Sequence, residues 1–254
     1  MFSKAIVRIP GKSLINGLTD SEYLGVPDYS RAIIQHQVYI EALKMCGLQV
    51  SVLEPCEEYP DSTFVEDVAL ITPKCAIITR PGAQSRRGEV EQIESVLKSE
   101  FNNIERIKAP GTIEAGDIMM VGSHYYIGLS DRTNTQGAEQ IITILNKYGY
   151  TGSTVDLNDV FHLKTGLSYL ENNILVVCGE FKNDPVFSSY EHIEIPNKES
   201  YAANCIRVND FVIVPLGYPL SKDKISNFGY KVIEVDVSEF KKLDGGLSCL
   251  SLRY

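Results

Sequence analysis

Apolar residues fall into short runs along this chain. Ala5-Ile6-Val7, Val50-Ser51-Val52-Leu53, Val68-Ala69-Leu70-Ile71 and Cys75-Ala76-Ile77-Ile78 each end at glycine, proline or polar clusters, the pattern of buried strands. Between such runs the period lengthens. From Ser30 to Cys46, apolar positions at Ile33, Ile34, Val38, Ala42, Leu43 and Cys46 recur near 3.6 residues, which predicts a helix capped by Ser30 and stopped at Gly47. Two more helices are predicted, over Glu89 to Glu100 (Val90, Ile93 and Leu97 inward) and over Thr135 to Tyr148 (Ala138, Ile141, Ile142 and Leu145 inward). Gly11 to Asp28 lacks periodicity and has one apolar tip at Leu18. Loops of that length often cover sites, and a disordered excursion is the alternative.

These elements repeat. Asp67 leads into Val68–Ile71, a turn at Thr72-Pro73-Lys74, the strand Cys75–Thr79, a loop Arg80–Gly88 and a helix. Asp117, fifty residues on, leads into Ile118–Val121, a turn at Gly122-Ser123, the strand His124–Ile127, a loop Gly128–Asn134 and a helix. Further copies begin near Thr165 and Asn204. The final strand Leu247–Leu252 and the opening strand Ala5–Val7 each lack a partner, so pairing them closes a ring of five units. Periods of this size mark radial or solenoid repeats. With no Pro/Gly/Ser-rich linker, 1–254 reads as a single domain of α/β class. In a closed ring, equivalent positions of every unit converge on one axis.

Composition narrows the function. The chain has 254 residues, 44% apolar and 22% charged, an ordinary globular balance, and a net charge of -9. An acidic chain argues against nucleic acid and suits a cationic small molecule. No run approaches a membrane span, the N-terminus lacks the apolar core of a signal peptide, and six scattered cysteines without a C-x-x-C pair read as free thiols of a cytoplasmic protein. A homodimer is compatible with the sequence, which does not fix the oligomeric state.

The most informative stretch is Pro60–Asp67. Asp61, Glu66 and Asp67 flank Phe64 and Val65 and run directly into core. A solvated turn is the ordinary reading. Partly buried acids need a cationic partner, and a guanidinium, with its planar fork of donors, is one that fits. Glu114, His162 and Cys249 enter later units at the same ring position. A lone histidine is more often structural, and His36, half exposed on the first helix, His124 and His192 read that way. A free cysteine is usually a small buried hydrophobe, as Cys75, Cys178 and Cys205 look to be; Cys249 differs in following Gly245-Gly246, which permit close approach. Arg86 and Arg132 occupy matching loops and together suit a carboxylate, or are two surface loops. Zinc-ligand spacings and nucleotide fingerprints are absent, so no metal and no cofactor are expected.

Phe64-Val65-Glu66-Asp67, Arg80-Pro81-Gly82-Ala83, Ser85-Arg86-Arg87, Glu114-Ala115-Gly116-Asp117, Arg132-Thr133-Asn134, His162-Leu163-Lys164 and Asp244-Gly245-Gly246-Leu247-Ser248-Cys249 resemble, in this order and over the whole chain, the dimethylarginine dimethylaminohydrolases. The resemblance implies a five-bladed αββαβ propeller of the pentein superfamily. It also implies hydrolysis of Nω-methylated L-arginine to citrulline and a methylamine through a covalent thiouronium. By the same motifs Cys249 is the nucleophile, His162 the acid/base and Glu114 its orienter. Asp61, Glu66 and Asp67 bind the guanidinium, and Arg86 and Arg132 take the α-carboxylate. Leu18 closes a lid, while backbone near Leu243 and Asp244 holds the α-amino group. An arginine deiminase acting on unmethylated arginine is the alternative. The acids surrounding Cys249 are expected to keep it a neutral thiol until a cation arrives.

Overall fold

Five antiparallel pairs, each extended by a parallel third strand, make up the architecture of the computed structural model, which describes residues 1–254. In chain order the elements are β1 (Lys4–Arg8), α1 (Tyr29–Met45), β2 (Gln49–Leu53), β3 (Ala69–Ile71), β4 (Ala76–Ile78), α2 (Glu89–Glu100) and β5 (Ile104–Arg106). Then come β6 (Ile118–Val121), β7 (His124–Leu129), α3 (Thr135–Lys147), β8 (Thr151–Asp156), α4 (Leu163–Gly166), β9 (Leu167–Tyr169), β10 (Ile174–Val177) and β11 (Glu191–Glu194). The chain ends with β12 (Ile206–Val208), β13 (Phe211–Pro215), α5 (Pro219–Asn227), β14 (Lys231–Val235), α6 (Ser238–Lys241) and β15 (Leu252–Arg253).

The sheets are β15-β1-β2, β3-β4-β5, β6-β7-β8, β9-β10-β11 and β12-β13-β14. In every sheet the first two strands are antiparallel and the last two parallel, as a hairpin followed by a crossover requires. Ring closure is explicit: Ala5 pairs with Arg253 and Ile6 with Leu252. The central strands β1, β4, β10 and β13 are buried almost throughout, which accounts for their continuous apolar runs. First strands of neighbouring blades, β15 with β3, β6 with β9 and β9 with β12, meet around the axis. This is the five-bladed α/β arrangement expected from the repeat.

Details differ from expectation. The first helix starts at Tyr29, because Asp28 rather than Ser30 supplies the cap, accepting from Arg31 N at 3.0 Å. His36 is buried, not half exposed, and burial pushes its imidazole down to about 4. Outer strands such as β5 and β8 are not expected from the pattern because they are short or face solvent and so carry no apolar run. The crossover from β10 to β11 has only 3-10 turns, Gly179–Lys182 and Pro185–Phe187, where the other blades have helices. Gly11 to Asp28 also forms two 3-10 turns, Lys12–Asn16 and Glu22–Leu24.

The core fills the spaces between blades. The largest cluster packs α1 (Tyr39, Leu43) against Phe64, Phe240, Leu247 and Leu250, each large apolar side chain contributing about 1.5–3 kcal/mol on burial. Tyr39 Oη donates to Leu247 O at 2.8 Å and lies 2.7 Å from Ser251 Oγ, anchoring the C-terminal segment from the first helix.

Candidate active site

The segments leading into the first strand of four blades are tight turns: Val65–Val68, Ala115–Asp117, α4 and Ser248–Leu250. They meet at one end of the axis. Cys249 therefore sits on a 3-10 turn rather than within a strand; β15 begins only at Leu252. A narrow pocket of about 30 Å³ brings together Cys249, His162, Glu114, Asp67, Asp61 and Arg132, together with Arg86, Leu18, Leu243 and Asp244. On the other side of Cys249 and His162 a chamber of about 500 Å³ runs toward Thr165, Tyr201 and Asn204. Glu66 is the one expected residue outside the narrow pocket: it faces the axial cavity behind the site.

His162 and Glu114 meet as the motifs lead one to expect: Glu114 Oε2 lies 3.0 Å from His162 Nε2. Both groups are buried. Burial opposes the imidazolium, but Asp117, the hydrogen bond to Glu114, and Asp67 outweigh it and push His162 up to about 9. Burial likewise opposes Glu114 ionisation, yet the His162 hydrogen bond and Arg86 hold the carboxyl down at about 2. Gly116 is obligatory here: a Cβ on it would lie 2.8 Å from His162 Nδ1 and 2.9 Å from Asp67 Oδ1.

Cys249 Sγ accepts weakly from Gly246 N at 3.4 Å. Burial first, then Asp67 and Glu66, push the thiol up to about 12. The ligand-free pair at neutral pH is thus imidazolium and neutral thiol.

The anionic cup is real but partly spoken for. Asp67 Oδ2 accepts from Arg86 Nη1 at 2.7 Å and Oδ1 from Gly116 N at 3.2 Å. Glu66 Oε1 pairs with Lys164 Nζ at 2.6 Å and lies 3.5 Å from Arg253 Nη2, while Oε2 is buried with no partner. Asp61 Oδ1 accepts from Leu18 N at 3.0 Å, so this acid ties down the loop tip. Asp244, in left-handed backbone at φ 56°, accepts from Asp20 N at 2.6 Å, Thr19 Oγ1 at 3.1 Å and Ser21 Oγ at 2.5 Å.

The two arginines are unequal. Arg86 is buried and clamped: Nε and Nη2 donate to Glu89 at 3.0 and 2.9 Å, Nη1 donates to Asp67, and Nη2 also donates to Phe64 O at 3.1 Å. Little of its fork remains for a ligand, contrary to the expectation of two equivalent arginines. Arg132 makes no ion pair and stacks over Phe161, 5.2 Å from the ring centroid. Sequence reasoning missed Lys164, Arg253, Glu89 and Asn204. Glu89 stands three residues after Arg86, a helical-spacing signal that was available. Asn204, whose Oδ1 accepts from Ser248 N at 3.0 Å, matches the Asp67 position of the repeat. Lys164 and Arg253 meet Glu66 only through ring closure, so no local signal existed.

A thiol, an imidazolium with a carboxylate behind it, and anions opposite a free arginine define a cysteine hydrolase for a guanidine that also bears a carboxylate, built on the pentein propeller. The family model described as N,N dimethylarginine dimethylhydrolase, eukaryotic, matches residues 28–250. The N(G),N(G)-dimethylarginine dimethylaminohydrolase of Pseudomonas aeruginosa is 57% identical over the full length of both chains. That of Streptomyces coelicolor is 30% identical over 98% of this chain and 96% of its own. The Pseudomonas aeruginosa protein, solved as a cysteine-to-serine mutant complexed with citrulline, superposes with a TM-score of 0.99 over both entire chains. The N-terminal domain of the cyanobacterial arginine dihydrolase ArgZ, 21% identical, shares the fold at a TM-score of 0.90 over 100% of this chain and 97% of its own. The chain belongs to the dimethylarginine dimethylaminohydrolase family.

Proposed function

We propose that this dimethylarginine hydrolase uses Cys249 as its nucleophile and His162 as its acid and base, with Glu114 orienting the imidazole, in one catalytic domain spanning 1–254. The observation that carries the assignment is the meeting of Cys249, His162, Glu114 and Asp67 around one pocket, from four different blades. Arg132 takes the α-carboxylate, helped by the remaining Arg86 donor. Backbone near Leu243 and Asp244 holds the α-ammonium beneath the Leu18 loop tip, and Asp61 with Asp67 holds the guanidinium planar and cationic, Glu66 adding its charge from the cavity behind.

The cation favours loss of the Cys249 proton to solvent. The thiolate then attacks the guanidinium carbon, forming a C–S bond and a neutral tetrahedral adduct. His162 donates its proton to the methylated nitrogen, the C–N bond breaks, and the amine leaves a thiouronium. Neutral His162 takes a proton from water as its oxygen bonds to the carbon. The C–S bond breaks, releasing the thiolate, and the hydroxyl proton passes through solvent to the departed amine, leaving neutral citrulline. Net, a guanidinium and water give citrulline and an ammonium ion, with charge conserved.

A narrow pocket of about 30 Å³ holds roughly one water, which fits entry of substrate with movement of the Leu18 loop tip that lines it. Every site residue comes from one chain, so the chemistry needs no second copy. No helix is long and apolar enough to cross a membrane, and the six cysteines are unbridged, which supports a cytoplasmic location. Citrulline formation from dimethylarginine, monomethylarginine and arginine by the wild type and Cys249→Ser is the test. Preferred turnover of the methylated substrates, abolished by the substitution, is expected. Preference for arginine, or turnover by the serine variant, would overturn the assignment.

A further inference from the structure

The blades are stitched together by one recurring contact. A side-chain oxygen just ahead of the first strand of a blade accepts a backbone N–H from a later blade. Asp67 Oδ1 accepts from Gly116 N at 3.2 Å, Asp117 Oδ1 from Leu163 N at 3.0 Å, and Asn204 Oδ1 from Ser248 N at 3.0 Å. Asn204 shows that a neutral amide suffices for the stitch. The charge at Asp67 has its use, since Arg86 pairs with it. The charge at Asp117 has none of that kind.

Asp117 is fully buried. Its remaining partners are neutral hydroxyls: Ser130 Oγ and Thr133 Oγ1 each donate to Oδ2 at 2.6 Å. No lysine or arginine forms an ion pair with it. A buried carboxylate without a cation is costly, and stitching alone does not explain keeping one. The residue that donates to Asp117, Leu163, directly follows His162, and the 3-10 turn holding Asp117 packs on α4, which His162 precedes.

We propose that Asp117 is a positioning residue for the acid–base step, a second counter-charge that works with Glu114 to keep His162 an imidazolium until it delivers its proton. Glu114 touches the ring; Asp117 acts through the field and through the Leu163 N–H that sets the backbone beside it. The groups facing His162 are Glu114, Asp117 and Asp67 as anions, Arg86 and Arg132 beyond Glu114, the Lys164–Glu66 pair, the Cys249 thiol and the Phe161 ring. Of the single contributions that favour the imidazolium, the charge of Asp117 comes first, followed by the Glu114 hydrogen bond and the charges of Asp67 and Glu114. The reason for two counter-charges follows from the reaction. The arriving guanidinium repels the imidazolium, and an acid held by Glu114 alone would lose its proton as substrate binds. The second charge offsets the incoming one, and leaves the acid matched to its task near neutral pH.

The inference rests on His162 being the acid, and the experiment separates the two ideas. The pH dependence of kcat for dimethylarginine is measured in the wild type, Asp117→Asn and Thr133→Val, alongside thermal melts and a titration of the His162 ring nitrogens by nuclear magnetic resonance. Asp117→Asn keeps the acceptor for Leu163 N and removes the charge. The expected result is a basic limb and a His162 titration moved down by about one unit or more, an about tenfold greater loss on the alkaline side than on the acid side, with the melt nearly unchanged. Thr133→Val, which removes a donor to Asp117 and the acceptor of Glu114 N but keeps the charge, lowers the melt and leaves the limb in place. A basic limb that Asp117→Asn does not move, with loss uniform across pH, would overturn the inference alone. An Asp117→Asn variant that cannot fold would also overturn it, because it would show that the charge serves the stitch. A wild-type profile with no basic limb would strike the acid role of His162 itself, and the inference with it.

Discussion

Ionisation of Cys249 by its own substrate can be followed quantitatively. In the ligand-free site burial, Asp67 and Glu66 hold the thiol near 12, so the thiolate is negligible at neutral pH. Substrate adds one positive charge against the sulfur. At about 4 Å and an effective dielectric of 20, that charge is worth about 4 kcal/mol, or about three pKa units. The thiol then falls from about 12 to about 9, and the thiolate fraction at neutral pH rises about a thousandfold. The assay is the ultraviolet difference titration of wild type minus Cys249→Ser, which isolates this thiolate from the tyrosines, run with and without an unreactive guanidinium ligand. Ligand-free enzyme should show no Cys249 thiolate below about pH 10, and ligand should bring the transition down by about three units. Substantial thiolate at neutral pH without ligand, or a transition that ligand leaves in place, would refute the reasoning.

The unequal arginines make a paired prediction. Arg132→Met should raise KM by about ten- to a hundredfold, the cost of a charged hydrogen-bonded contact, with little change in melting temperature. Arg86→Met should destabilise the fold by about 3–5 kcal/mol, because Asp67 and Glu89 lose their buried partner; equal stability of the two variants would contradict the clamp. At Gly17 a Cβ would meet Asp61 Oδ1 and Leu243 Cδ1, both at 2.9 Å, so Gly17→Ala should hold the loop off its anchor and raise KM. An unchanged KM would show that the loop does not close there. Stability should also depend on pH through the His162–Glu114 pair. The raised His162 value contributes stability fully present below its unfolded value of 6.5 and lost as pH rises through about 9. The lowered Glu114 value contributes stability present above its unfolded 4.5 and lost as pH falls through about 2. Thermal melts of wild type and His162→Gln across these windows check both signs, and a wild-type melt that is flat from neutral pH to about 10 would contradict the first.

The repeat was legible because central strands buried on both faces leave unbroken apolar runs, as Ile174–Val177 and Phe211–Pro215 do. Ring closure could be inferred because Ala5–Val7 lacked any local partner. Strands such as β5 and β8 were not legible, since an outer strand facing water shows neither alternation nor an apolar run. At the site, the repeat singled out Cys249, His162 and Glu114 as candidates, and the family motifs gave them their expected roles. Their protonation states were only partly legible. The acids around Cys249 were visible in sequence, but the larger cause, burial, is a property of the closed ring. The pairing of Glu66 with Lys164 and Arg253 likewise exists only once residues far apart in the chain are brought to the axis. Arg86 looked equivalent to Arg132 by position, and burial beside Glu89 separated them.

The central claim is that the sulfur carried by the last blade bonds to substrate carbon. Mass spectrometry of enzyme quenched in acid during turnover of dimethylarginine, followed by peptide mapping, tests it directly. An adduct of thiouronium mass on the peptide containing Cys249, absent from Cys249→Ser, is the predicted result. An adduct on another residue, or continued citrulline formation by the serine variant, would contradict it.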